Sequence, residues 1–257
     1  MLKHCALWFG AASLLVAVSA QAITADELIA KNAAARGGLD KIEAIKSLKL
    51  EGHLRFTGGF GSIDLSHVQY QKTPDLVRTE DTVQGLTQVQ AWDGKQAWQI
   101  SPFQGRKDPE RMSADDAKSL ADDAPIAGSL INYSARGSQV EYLGSEDVEG
   151  TQAYKLKVTL KSGNIEYVYL DPDQYLEIRV VSQRMVRGTE SESTTELGDY
   201  ERVDGVYFPF SMATHSPNGG GGDTQITIDK AQANVPMDDS VFAFPVKSDP
   251  NPPGSGK

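Results

Sequence analysis

The chain has 257 residues, with 25 basic against 35 acidic side chains and a single cysteine, Cys5. That balance argues against nucleic acid and anionic membrane surfaces as partners. The cysteine count rules out a disulfide framework and a cysteine-ligated zinc.

Residues 1–22 read as a secretory signal peptide: Lys3 and His4 precede an apolar run from Cys5 to Ala20, and Ala20-Gln21-Ala22 supplies a small-x-small cleavage pattern. The run is too short to be read as a membrane span. Ile23, not a cysteine, follows the cleavage point, so the mature chain is expected to be unlipidated and periplasmic, with 24 basic and 35 acidic residues. Its length suits one large β domain or two small ones.

Thr24 with Glu27 three residues later forms a capping-box signature, and Gly37-Gly38 supplies a stop, so the mature N-terminus is predicted helical. A second short helix is predicted from Leu39, Ile42 and Ile45, spaced three apart. From Ser47 the period changes to two. Leu48, Leu50, Leu54 and Phe56 fall on one face and Lys49, Glu51, His53 and Arg55 on the other. Tyr154, Leu156, Val158 and Leu160 repeat the pattern, as do Leu176, Ile178 and Val180. Such alternation belongs to antiparallel sheets with one solvated face. About a dozen strands are expected, with turns at Pro74-Asp75, Asp93-Gly94, Glu149-Gly150, Ser162-Gly163, Asp171-Pro172-Asp173 and Asp204-Gly205.

Asp93-Gly94 separates Trp92 from Trp98. A two-residue hairpin loop would send the indoles to opposite faces, and a three-residue loop with a bulge would put them on one face. Residues 107–136 interrupt the strands: Leu120, Ile126, Leu130 and Ile131 lie at helical spacings, and Pro125 is expected to divide the segment into two short helices. Gly219 to Gly222 reads as a flexible loop and residues 247–257 as a disordered tail.

This inventory implies a mainly β fold: a large antiparallel sheet curled into an unclosed half-barrel around an N-terminal helix and a helical lid. Residues 23–246 would form one domain, and unfilled volume on the concave side would be an apolar cavity.

Motifs for chemistry are sparse. The mature histidines, His53, His67 and His215, have no ligand-type partner at i+3 or i+4. "DPDQYLE" fits a turn better than a calcium loop. The pairs Asp115-Asp116, Asp122-Asp123 and Asp238-Asp239 read as helix-end or loop carboxylates, and no G-x-S-x-G elbow occurs. Gly254-Ser255-Gly256-Lys257 lacks the helix that would follow a phosphate loop. No catalytic residue, metal or cofactor is expected.

The segments "ADELIAKNAAARGGLDKIEAIKSLKLEGHL", "YQKTPDLVRTE" and "AWDGKQAWQISPF", carrying Lys72, Pro74, Leu76, Asp93, Gly94, Lys95, Trp98, Pro102 and Phe103, resemble the periplasmic outer-membrane lipoprotein-sorting proteins of the LolA/LolB-like superfamily. So do "LGDYERVDGVYFPFSM" and "TQITIDKAQANVPMDDSVFAFP" toward the C-terminus. The resemblance implies an unclosed barrel with a helical lid over an apolar cavity that shields acyl chains in water, and it turns Trp98 inward. Trp92 becomes its neighbour or an outward residue, depending on the loop. Each buried methylene would contribute roughly 0.8 kcal/mol. The family's lid-tethering arginine is replaced here by Thr73, which cannot make a forked charged contact, and Arg78 is a nearby substitute.

The expected cavity lining is Leu48, Leu50, Leu54, Phe56, Trp92, Trp98, Tyr154, Leu156 and Val158, with Leu120, Ile126, Leu130 and Ile131 on the lid. The expected ligand is a lipid, the acyl chains of a lipoprotein or another apolar molecule. An inner-membrane donor and an outer-membrane acceptor are implied as partners, and the chain is expected to be a monomer. The alternative is a non-catalytic envelope module whose barrel is filled by its own side chains and which docks to a partner complex.

Overall fold

In the computed structural model, which describes residues 23–59, 61–186, 188–217 and 222–245, the helical and strand periods of the sequence separate cleanly. The signal peptide, the C-terminal tail and all but Gly222 of the Gly219–Gly222 loop lie outside the described residues. Helix α1 (Ala25–Ala35) starts at the expected capping box: the Thr24 side chain accepts from the Glu27 backbone N–H, and Glu27 reaches back to the Thr24 N–H at 2.8 Å. Helix α2 (Leu39–Ala44) buries Ile42.

Strands β1 (Ser47–Gly58), β2 (Gly61–Lys72), β3 (Leu76–Val83), β4 (Leu86–Trp92), β5 (Ala97–Ser101) and β6 (Arg106–Arg111) form a meander. Helix α3 (Ala114–Asp122) follows. A second meander comprises β7 (Gln139–Val148), β8 (Thr151–Thr159), β9 (Ile165–Leu170), β10 (Glu177–Val186), β11 (Thr189–Val203), β12 (Val206–His215) and β13 (Asp223–Ala233). The two meanders join where β13 pairs antiparallel with β1, giving one 13-stranded sheet whose edges are β6 and β7. Those edges do not pair, so the barrel stays open.

At the join, the register slips between Glu51 and Gly52, which places a bulge on β13 and bends the sheet. Gly52 is required there: a Cβ would lie 2.0 Å from the Thr227 carbonyl oxygen. α3 touches β3, β4 and β5 on one wing and β10 on the other, so the sheet curls around it.

The even-numbered residues of β1, continued by Gln71, Val77, Trp92 and Ala97 across the register, form the concave face. Three apolar clusters fill much of it. Leu28 and Leu130 pack on Leu156, Val158, Val168 and Leu170. Ile42, Ile45 and Ile131 pack on Leu48, Leu50, Phe208 and Phe210. Leu120 and Ala124 pack on Val77 and Ala97, with Trp92 beside them.

Two expectations for the chain path are corrected. Of the two lid helices only α3 forms, and residues 123–138 run as turns. Residues 107–111 belong to β6, where Pro109 is accommodated because an edge strand bonds a neighbour on one side only.

The 91–100 hairpin has neither of the two loops considered. Trp92 pairs with Ala97 and Ala91 with Trp98, leaving a four-residue loop in which Asp93 Oδ1 accepts from the backbone N–H of Lys95 and Gln96 at 2.9 and 2.8 Å. The two indoles therefore lie on opposite faces. Trp98 is fully buried on the convex side, against Val89 and Ala91 and under the C-terminal segment. Its Nε1 donates to the Phe242 carbonyl at 2.8 Å, and Phe244 meets it edge-on with centroids 6.1 Å apart. Arg78 donates to the Val241 carbonyl at 2.9 Å and stacks over the same indole.

Because Phe242 is fully buried in this strap, Phe242→Ala is expected to cost about 3 to 5 kcal/mol of stability. Urea unfolding would show the loss, and a red-shifted tryptophan emission in the still-folded protein would show Trp98 uncovered.

Candidate functional site

Between the concave face and the crossing segment lies a groove of two compartments that share Asp123, Ser182, Arg184 and Ser193. The inner compartment, about 440 Å³, runs under residues 122–129 and is floored by Leu48, Leu50, Leu197, Phe208 and Met212, with Val180 beside them and Ile126 in its roof. The outer compartment, about 520 Å³, runs along α3 past Phe56 to Gln104, Ser216 and Gly222 at the rim. Both volumes fall in the range of small-molecule sites, about 300 to 1,000 Å³.

The crossing segment is pinned over the groove by polar contacts from both wings. From β10, Arg184 makes a two-pronged ion pair with Asp123 at 2.9 and 2.6 Å, reaches the Ser119 carbonyl at 3.3 Å and contacts Glu166 at 3.2 Å. From β2, the Gln71 amide donates to the Asp123 and Ala124 carbonyls, both at 3.2 Å. From the end of α1, Arg36 donates to the Ala127 carbonyl at 2.7 Å. Asp122 accepts from Ser162 and Asn164 at 2.8 and 2.7 Å, and Arg136 pairs with Asp75 at 3.0 Å.

Burial opposes the charge on Arg184, but Asp123 and Glu166 outweigh it and hold the guanidinium above its ordinary pKa. Burial pushes the Glu166 carboxyl up against the pull of Arg184. It also pushes up Asp122, which Ser162 and Asn164 hold back. Deeper in the groove, burial raises Glu177, opposed by Arg36 at 3.9 Å, a separation too long for a hydrogen bond. One Glu177 carboxylate oxygen has no hydrogen-bond partner.

The expected site residues divide into four groups. Leu48 and Leu50 line the inner compartment, Phe56 and Leu120 line the outer one, Ile126 roofs the inner one, and Leu54 is half-buried on the same concave face. Tyr154, Leu156 and Val158 also lie on the concave face but are covered by α1 and Leu130, with Tyr154 stacked on Tyr175 at 5.9 Å. Leu130 and Ile131, both almost fully buried, anchor the crossing segment in the core. Trp92 packs half-buried beside the α3 contact, and Trp98 lies on the opposite face of the sheet, because the four-residue loop fixes their phase.

Thr73 and Arg78 do not tether the lid. Thr73 bonds the Lys46 carbonyl, and Arg78 ties down the C-terminal strap. The tethers are Arg184, Gln71 and Arg36. In "VVSQRMV" the concave phase runs Val180, Ser182, Arg184, so the inward phase of this stretch carries a charge. Much of the cavity wall is polar, contrary to the apolar cavity expected. Among the described residues, no group of three or more His, Cys, Asp or Glu side chains stands where it could hold a metal ion. His67, 3% exposed, lies 2.7 Å from Asp81.

No protein-family model and no curated protein sequence matches the chain. Solved structures do. A LolA superfamily protein from Nitrosomonas europaea superposes with a TM-score of 0.59 at 13% identity, covering 86% of this chain and 98% of that one. The fold is LolA-like. A DUF1329 family protein from Desulfovibrio piger gives 0.60 at 14% identity over 85% and 97% of the two chains. A domain from Vibrio parahaemolyticus described as an outer membrane lipoprotein-sorting protein gives 0.56 at 12% over 84% and 94%. At these identities the likeness is one of fold: a LolA-like half-barrel, with this chain's own side chains in the groove.

Two measurements test the electrostatics of that groove. Arg184→Leu leaves Glu166 buried without its counter-charge and frees Asp123, and is expected to cost about 3 to 5 kcal/mol in urea unfolding. For Glu177, a native pKa above the ordinary carboxylate value means the native state binds the extra proton. Its stabilising contribution is therefore full below the ordinary value and lost as pH rises through the raised one. Glu177→Gln is expected to gain stability relative to the parent as pH increases from 4 to 8. A constant difference across that series would show that Glu177 titrates normally.

Proposed function

We propose that the protein is a periplasmic carrier that shields the apolar part of an amphiphilic ligand inside the half-barrel. The observation that carries this is the inner compartment: an unfilled space of about 440 Å³ under a pinned crossing segment, with Leu48, Leu50, Leu197, Phe208 and Met212 turned into it. Three apolar clusters fill other parts of the concave face, and this space is what they leave. Covering about ten methylenes there contributes roughly 8 kcal/mol before the entropic cost of association, enough to hold a chain and still release it.

The secretory signature of residues 1–22 and the LolA-like fold support a periplasmic location, and one of the similar structures is described as a lipoprotein-sorting protein. The carrier works as a monomer between an inner-membrane donor and an outer-membrane acceptor, and needs neither a cofactor nor catalytic chemistry. Lipid or lipoprotein acyl chains are the cargo.

The test is mass spectrometry of lipids extracted from residues 23–257 purified from a periplasm without detergent, beside Leu197→Arg and Met212→Glu. These two side chains are half-buried and opposite one another in the register, so both variants should fold. Near-stoichiometric lipid in the parent, falling at least tenfold in either variant, is expected. A lipid-free parent that also ignores added phospholipid and acylated peptide would sink the carrier and favour a docking module.

A further inference from the structure

The outer compartment is built for something other than a hydrocarbon chain. One wall presents Gln88, Gln90, Gln99 and Ser101 from β4 and β5, and the facing wall Ser182, Ser191 and Ser193 from β10 and β11. The register makes these continuous rows, with Gln90 opposite Gln99 and Ser182 opposite Ser193. Gln99 is held by Glu110 at 2.9 Å. The side chains of Gln88, Gln90, Ser182, Ser191 and Ser193 have no hydrogen-bond partner among the described residues. Ser119 Oγ and Arg184 Nε, on α3 and β10, are buried and also unpartnered. Polar groups in a concave space must be satisfied by water or by a ligand.

Their chemistry selects the ligand. A carboxamide carries two donors and an acceptor and a serine hydroxyl carries both functions, so together they match groups that also donate and accept, as alcohol hydroxyls do. Phosphate and sulfate heads only accept and need a cation. The cation in the lining is Arg184, already committed to Asp123 and Glu166, and Asp116 stands in the same lining. An extended peptide would seek an unpaired strand edge, whereas these walls are the faces of paired strands. The half-buried ring of Phe56 adds an apolar surface of the kind a sugar ring covers.

We propose that the outer compartment binds a neutral, hydroxyl-rich head group, glycosyl in kind, of the same amphiphile whose chain lies in the inner compartment. This rests on the carrier reading above. The Arg184–Asp123 pair marks the boundary between head and chain.

The test is calorimetric titration of residues 23–257 with n-dodecyl β-maltoside, n-dodecylphosphocholine and free maltose, each detergent below its micelle concentration. The parent is compared with Gln88→Leu/Gln90→Leu, with Gln90→Glu and with Leu197→Arg, all confirmed folded by thermal melts. The maltoside is expected to bind at least tenfold more tightly than the phosphocholine. The double variant should lose that preference while still binding the phosphocholine, Gln90→Glu should weaken it, and Leu197→Arg should abolish binding of both detergents. Equal affinity for the two detergents in the parent would overturn the head-group assignment and leave the carrier standing. Absence of binding by either detergent would overturn the carrier, and the head-group site with it. Maltose binding as tightly as the maltoside would support the glycosyl site, with a free saccharide as its source, and overturn its coupling to a chain.

Discussion

The chain leaves its sheet at one edge and must re-enter at the other. β6 ends at Arg111 and β7 begins at Gln139, so residues 112–138 have to cross the full width of 13 strands. A flat sheet of that width could not bring both wings onto this segment, whose Leu120 and Ala124 pack on one wing and Leu130 on the other. The sheet therefore curls until both wings touch the crossing segment, and the bulge opposite Gly52 supplies part of the bend. The groove is what remains between a curled sheet and the strap that curls it. Packing of α1 and α2 closes one end, and the ion pairs and amide contacts from Arg184, Gln71 and Arg36 fix the strap's height.

The two compartments differ because different stretches of the sheet line them, with β10 and β11 reaching both. β1 and β12 bring leucine, phenylalanine and methionine to the inner one, in phase with the core beneath α2. β4, β5, β10 and β11 bring glutamine and serine to the outer one. A LolA-like fold fixes only that a concave face exists, and the composition of each strand decides what the face can hold. An amphiphile matches such a divided groove better than a pure hydrocarbon, because neither end forces a polar group against an apolar one.

Much of the architecture is legible in the sequence because local and global signals agree. The capping box at Thr24 and Glu27, the alternation over 48–56 and 154–160, and the turn residues each point to the element observed. The failures have specific physical causes. Residues 107–111 read with the interruption that follows them, yet they pair as an edge strand, and an edge position asks nothing of the missing N–H of Pro109. Ile126, Leu130 and Ile131 have helical spacing, but they divide between two clusters, Ile126 and Ile131 in that beneath α2 and Leu130 in that beneath α1, rather than sharing one helix face. Trp98 was turned inward by family resemblance, while Asp93 closes a longer loop with its own side chain and sets the opposite phase. Arg184 could have been found by asking why a charge sits in the inward phase of β10. Its partners, Asp123 and Glu166, are 61 and 18 residues away, and no local pattern reveals them.

The sheet is not uniformly stitched. β1 holds β13 through ten residue pairs and β11 holds β12 through nine, but β12 and β13 are joined through only four, Ser211–Thr214 against Thr224–Thr227. This seam runs beside the floor of the groove, inside the second meander and one strand from the β1–β13 join. Local opening costs least where few backbone hydrogen bonds must break, and of the two seams that flank β1–β13 this is the thinner, with four pairs against twelve between β1 and β2. A change of twist there would alter the width of the groove while the ten and nine pairs on either side keep their register.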